Sequence, residues 1–143
     1  MHMHNTERQL CACMALRRAA RAVTRLYDHR LTPKGMTTTQ YAILGTLAKQ
    51  GDLALTELAD QLGMDRTSLY RTIAPVEHAG WVAVLAGRGR AKTVHLTQAG
   101  REARNLAKDE WAKAQDQVLR EMPEDQWNDL LNSLNKLIEA AEA

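Results

Sequence analysis

The sequence predicts an all-α chain interrupted by one small β element. Three observations carry this. Apolar residues recur at helical spacing over most of the 143 residues. Two short amphipathic stretches meet at a glycine turn between Leu55 and Val76. Two alternating apolar stretches flank a glycine-rich tip between Trp81 and Leu96.

From about Thr6 to Arg30 the pattern is one long helix. Cys13, Leu16, Ala20, Val23 and Tyr27 form its apolar stripe, and Arg17, Arg18, Arg21 and Arg25 dominate the polar side. A stripe this modest, with no early partner in sequence, needs another element to bury it. Leu31-Thr32-Pro33-Lys34-Gly35 breaks the helix. Thr37 then caps a second, with Gln40 three residues on as a capping box and Tyr41, Ile43, Leu44, Leu47 and Ala48 as a core face. Gly51-Asp52 closes it.

A short helix follows, expected to be capped by Thr56, carrying Leu58 and Leu62 on one face and ending at Gly63. Asp65 starts the next, with Leu69, Ile73 and Val76 inward. Thr67, Arg71, Ala74 and Pro75 lie opposite that stripe, with Arg66, Ser68 and Tyr70 on the flanks. Pro75 removes a backbone hydrogen bond, at about 3 kcal/mol in an unadapted helix interior. The apolar period continues to Val76, so the helix is expected to bend there rather than stop.

Trp81–Leu85 and Lys92–Leu96 read as paired strands. Their tip, Ala86 to Ala91, holds two glycines, Arg88 and Arg90 and no acid. Thr97 caps a helix to about Arg120, with Ala99, Ala103, Leu106, Ala107, Trp111, Ala114 and Val118 inward. Pro123, at a first-turn position, starts the last helix. Its stripe of Trp127, Leu130, Leu131, Leu134, Leu137, Ile138 and Ala141 is wider than one small domain can cover.

Composition narrows the function classes. With 45% hydrophobic and 25% charged residues, the chain has one ordinary globular domain's worth of material. No apolar run approaches the ~18 residues of a membrane span. Residues Met1 to Arg8 lack the apolar core of a signal peptide, so the cytoplasm is expected. Cys11 and Cys13 are too close to staple distant elements and suit that reducing compartment. Residues 61–108 carry eight Lys/Arg against three Asp/Glu, whereas 109–143 carry three against nine. The basic excess thus coincides with the paired short helices and the hairpin, where a polyanion would be met.

Two helices at a tight turn, the second exposing Arg, Thr and Ser, followed by an arginine-tipped hairpin, make a winged helix-turn-helix. The expected organisation is a winged head over residues 37–97 and a helical dimerisation region over 1–36 and 98–143. Thr67, Ser68 and Arg71 are placed nearest base edges, Arg66 and Tyr70 nearer phosphates, and Arg88, Arg90 and Lys92 on the wing. Trp127, Leu130, Leu134, Leu137 and Ile138 are expected to join two copies. A homodimer with paired heads would read a pseudo-palindromic operator in double-stranded DNA.

These residues, in this order, resemble the MarR family of bacterial transcription regulators. The resemblance runs through Leu31-x-Pro33-x-Gly35-Met36-Thr37-x-x-Gln40-Tyr41-x-Ile43-Leu44 and Leu55-Thr56-Glu57-Leu58-Ala59-x-x-Leu62-Gly63-Met64-Asp65-Arg66-Thr67-Ser68. It continues through Val76-Glu77-x-Ala79-Gly80-Trp81-Val82 and Arg90-Ala91-Lys92-x-Val94-x-Leu96-Thr97-x-Ala99-Gly100. It implies a triangular helical homodimer with winged heads, without a cofactor, usually a repressor that leaves its operator when a small molecule or oxidant acts near the dimer–head junction. Many members carry an acid at the wing tip near Gly87; this chain has none.

Cys13 with Arg21, Thr24 and Tyr27 resembles the hydroperoxide-sensing branch, although Arg17 and Thr38 stand where that branch has tyrosines. Arg17, one turn on, puts a positive charge beside that sulfur. A Cys11–Cys13 bridge is expected least, because helical positions two apart face away from each other. The reversible-effector alternative places Arg17, Arg21, Tyr41 and Trp111 around a cavity for a small anionic or aromatic compound. Catalysis is not expected: there is no phosphate loop or nucleophile elbow, and His2, His4, His29, His78 and His95 lack metal spacing. A helical interaction module without DNA binding would account for the stripes but leaves the basic wing unexplained.

Overall fold

The structure, a computed structural model, describes residues 10–87, 89 and 91–143. Among the described residues, six α-helices and a three-stranded antiparallel sheet make a winged helix-turn-helix.

Helix α1 spans Ala12–Leu31. The expected start at Thr6 falls outside the described residues, but Cys11 has extended backbone (φ −62°, ψ 118°), so the helix begins after it. Only Tyr27 and Leu31 of α1 are buried; Cys13, Leu16, Ala20 and Val23, the stripe that needs another element to bury it, are exposed in the single chain. A 3₁₀ turn at Thr32–Lys34 with Gly35 at φ 77° reverses the chain. Helix α2, Thr38–Gln50, starts with the expected capping box. Thr37 Oγ1 accepts from the Gln40 N–H at 3.2 Å, and Gln40 Oε1 from the Thr37 N–H at 2.9 Å.

Strand β1 is Leu53–Ala54, a pair of residues that no periodicity marks. Helix α3, Leu55–Leu62, therefore begins earlier than expected, with Ala54 and not Thr56 as its N-cap. Pairing of Leu53 with Val94 and Ala54 with Thr93 fixes where the chain leaves the sheet. Glu57 then satisfies the freed Ala54 N–H at 3.3 Å. Gly63 (φ 65°) turns the chain into α4, Arg66–His78. Asp65 caps α4 by accepting from the Ser68 N–H at 2.8 Å, and the helix continues through Pro75 to His78.

Strands β2 (Val82–Ala86) and β3 (Lys92–Leu96) pair in register from Val82–Leu96 to Ala86–Lys92, giving sheet order β1-β3-β2. Helix α5, Gln98–Leu119, is capped by Thr97, whose Oγ1 accepts from the Gly100 N–H at 3.1 Å and donates to the Gly80 carbonyl at 2.6 Å. Gly100 lies so close to the wing base that a Cβ there would meet the Trp81 carbonyl oxygen at 2.1 Å. The inward face of α5 is narrow and small-residued: Gly100, Ala107 and Ala114 are buried. Leu106, about 100° around the helix from Ala107, points out instead and is 70% exposed, and Ala99 is exposed too.

One core, including Leu31, Met36, Ile43, Leu44, Leu47, Leu58, Leu69, Val76 and Val94, joins α2 to α5 and the sheet. Helices α1 and α5 run antiparallel: the Tyr27 hydroxyl donates to Gln115, and Arg30 lies 3.8 Å from Glu110. Helix α6, Glu124–Glu142, follows Pro123, which precedes the helix rather than occupying its first turn. No residue of α6 is buried. Leu130, Leu131, Leu137 and Ile138 present an apolar face that stays exposed among the described residues.

Candidate nucleic-acid interface

The turn at Gly63 and the cap at Asp65 set the start of α4, and the stripe Leu69–Ile73–Val76 presses one face of it into the core. The opposite face is thereby forced outward, leaving Arg66, Thr67, Tyr70 and Arg71 exposed and Ser68 half-buried. The carboxylate of Asp65 takes both the Ser68 N–H and, at 2.9 Å, the Ser68 hydroxyl proton. Those bonds hold the Asp65 carboxyl below its ordinary range, the backbone bond most strongly. They also commit the hydroxyl proton of Ser68. That side chain, read as a base contact, can offer only its lone pairs to a ligand in this arrangement.

Between α4, α3 and the wing lies a groove of about 290 Å³ lined by Ala54, Leu55, Thr56, Arg66, Leu69, Tyr70, Ala91 and Lys92. It brings together three of the residues singled out from sequence: Arg66 and Tyr70 from α4 and Lys92 from the root of the wing. Tyr70 also walls a second depression, on the Glu77 and Val84 side. Arg88 and Arg90 lie outside the described residues; the flanking Gly87 N–H donates to the Ala91 carbonyl at 2.6 Å, narrowing the tip.

Two contacts that orient the wing, and one residue that lines the groove, were not legible in the sequence. Glu77 of α4 accepts from the Val84 N–H at 3.2 Å, coupling reading helix to wing. His95 of β3 pairs with Asp52 before β1 at 2.8 Å. Thr56, freed from the capping role assigned to it, lines the groove instead. Both contacts sit at polar positions that periodicity leaves unassigned.

The residues expected to wall an effector cavity fall into two groups. Tyr41 is buried and stacks on Trp111, ring centroids 5.6 Å apart, with the Arg104 guanidinium 5.3 Å over its ring. Burial pushes the Tyr41 hydroxyl up, opposed by the charge of Arg104. Arg17 and Arg21 instead share an open depression on α1 with Ala20, Thr24 and Arg25. Opposite Tyr27 lies Gln115, and Arg17 is ten residues earlier, roughly 15 Å along the axis at 1.5 Å per residue. One protomer therefore does not gather Arg17, Arg21, Tyr41 and Trp111 around a single cavity.

Cys11 and Cys13 are both free thiols and both exposed. Since Cys11 is extended rather than helical, the facing argument against their pairing does not govern them. His2 and His4 lie outside the described residues. Among the described residues no three His, Cys, Asp or Glu side chains form a metal-binding group, and no helix is long and apolar enough to cross a membrane.

Residues 36–87 match the family model described as the MarR family. The chain is similar over nearly its whole length to the transcriptional regulator MosR of M. tuberculosis, solved in complex with DNA. The two share 34% identity, with 92% of this chain and 96% of that one covered and a TM-score of 0.83. More distant structures share the fold: an E. coli MarR mutant complexed with operator DNA has 20% identity, covers 87% of this chain and 91% of its own, and gives a TM-score of 0.77. CouR of Rhodococcus jostii RHA1, bound to p-coumaroyl-CoA, has 21% identity, 90% and 91% coverage and the same TM-score, 0.77. With its winged head and its identity to MosR spanning both chains, the protein belongs to the MarR family.

Proposed function

We propose that the chain is a bacterial sequence-specific DNA-binding transcription regulator, a repressor released by a small-molecule effector and acting as a homodimer in the cytoplasm. The observation that carries this is the convergence of Arg66, Tyr70 and Lys92 in one groove beside the exposed Thr67–Arg71 face. A major groove admits an α-helix, and cations on either side of that helix suit the flanking phosphates. MosR and E. coli MarR, solved on DNA, support the ligand class; CouR, solved on an acyl-CoA, supports control by a small molecule. The uncovered α6 stripe and the exposed apolar residues of α1 support a second copy as the dimerisation partner, through Trp127, Leu130, Leu134, Leu137 and Ile138. In this reading residues 37–97 are the head and residues 1–36 and 98–143 the dimerisation region.

Thr67 and Arg71 reach base edges, Ser68 accepts rather than donates, and Arg66, Tyr70, Arg88, Arg90 and Lys92 hold the backbone. Arg71→Ala should lose roughly 1–3 kcal/mol of operator affinity and relax base preference at one position per half-site. Unchanged affinity and selectivity in a mobility-shift assay would sink the assignment.

A second reading is favoured by the two exposed thiols at the foot of α1: release by oxidant through Cys13, with Cys11 as a resolving partner. An organic hydroperoxide would transfer oxygen to the Cys13 sulfur, breaking its O–O bond, forming S–OH and leaving the alcohol. Cys13→Ser should then bind DNA as wild type does and ignore hydroperoxide. Equal retention of DNA by both proteins under hydroperoxide ends this reading and leaves the reversible effector.

A further inference from the structure

We propose a binding site for a small oxyanion between α2 and α5, built by Arg101, Arg104 and Asn105. At position 45 a glycine lets the Arg104 guanidinium lie against α2: a Cβ there would sit 3.3 Å from Nε and 3.7 Å from Nη2. The same guanidinium is held over Tyr41, itself stacked on Trp111. So held, Arg104 Nε is buried with no hydrogen-bond acceptor, alone in this among the described side-chain atoms. A buried donor on a cation costs free energy until an acceptor or a counter-charge meets it. Among the described residues neither Arg101 nor Arg104 makes a salt bridge.

Beside this guanidinium opens a crevice of about 120 Å³ lined by Ala48, Arg101, Arg104 and Asn105. Arg101 and Arg104 stand three apart on α5, a spacing that brings two like charges to one face and disfavours them until an anion bridges them. Guanidinium groups match the planar fork of a carboxylate and the tetrahedral faces of phosphate, and the Asn105 amide adds a neutral donor. The volume is well below the roughly 300–1,000 Å³ of pockets for drug-sized ligands. That size selects inorganic phosphate or a short carboxylate such as acetate over an aromatic compound. The site is distinct from the groove on the reading face and from the arginine depression on α1, and it stands whether or not the chain reads DNA. An anion here would join α2, a helix of the head, to α5, the helix that leaves it.

Thermal unfolding of the full chain at fixed pH and ionic strength tests the site, with chloride exchanged for phosphate in one arm and for acetate in the other. A rise in Tm that follows the logarithm of anion concentration above the dissociation constant is expected, about 4 °C at a tenfold excess over it. Arg101→Gln and Asn105→Ala, both at exposed positions, should fold normally and lose the logarithmic rise, whereas Arg25→Gln should keep it. A logarithmic rise with phosphate alone, or with acetate alone, assigns the anion class. A linear rise, equal in wild type and all variants, is the surface-exclusion effect of a kosmotropic salt and overturns the site. So does the absence of any rise, or a rise lost in Arg25→Gln and kept in Arg101→Gln.

Discussion

From Met36 to Leu96 the chain buries or half-buries its large apolar side chains apart from Tyr70 and Leu85; from Glu124 to Glu142 it buries none of them, and only Trp127 and Leu134 are half-buried. Both regions carry regular apolar stripes, and the α6 stripe is the more regular of the two. What separates them is company. The stripe of α4 meets α3, β2 and α2 within a few dozen residues of sequence, whereas among the described residues that of α6 leaves Leu130, Leu131, Leu137 and Ile138 exposed. Amphipathicity therefore specifies that a face must be buried, not by which chain. In the proposed homodimer, the head is a locally complete reading surface and the ends are halves of a core.

Replacing Leu130, Leu134 and Leu137 together with Ala should have the largest effect, roughly 1.5–3 kcal/mol for each side chain the dimer buries fully. The loss should appear in association, with unfolding midpoints that move with protein concentration. A folded monomer of the unaltered chain in sedimentation at micromolar concentration would show that the ends need no partner. Leu44→Ala, at a fully buried position of α2, should instead cost about 2–5 kcal/mol of folding stability while leaving the association of folded chains intact. Coupled loss of association in that variant would mean the head is not locally complete.

A smaller effect is expected at the start of the reading helix. The Ser68 bonds depress the Asp65 carboxyl in the folded protein below its ordinary value of 3.8. A depressed carboxyl stabilises the fold above its unfolded pKa, and that stabilisation is lost as pH falls through the lower folded value. Asp65→Asn keeps a capping oxygen without a titrating charge. Wild type should exceed Asp65→Asn in stability at neutral pH, with the gap closing below about pH 4. A gap independent of pH in denaturation curves would mean that the charge of this cap contributes nothing.

Much of the fold is legible in the sequence alone, for a common reason: the legible features are set by residues near one another along the chain. The capping box of Thr37 and Gln40, the cap at Asp65, the Gly63 turn and the strand Lys92–Leu96 are all local chemistry. The misplaced features depend on distant partners. Thr56 lost its expected capping role because β1 pairs with β3, about forty residues away along the sequence. Leu106 and Ala99 point outward because α5 turns its glycine and alanines, not its larger side chains, toward α2 and the wing base. Arg17 and Trp111 are apart because the antiparallel register of α1 on α5 is set by Tyr27 and Gln115, a pairing no spacing announces. For the site, exposure of Arg66, Thr67 and Arg71 followed from the stripe opposite them, while commitment of the Ser68 hydroxyl to Asp65 depended on a rotamer.

In the proposed homodimer, two copies of this chain present paired heads to one DNA duplex. Hydroxyl-radical footprinting on the upstream region of the chain's own gene reads this arrangement. Two protected half-sites related by a pseudo-two-fold, with centres about 10 bp apart, are predicted. A single asymmetric half-site, or no protection at protein concentrations that coat random DNA, would contradict it.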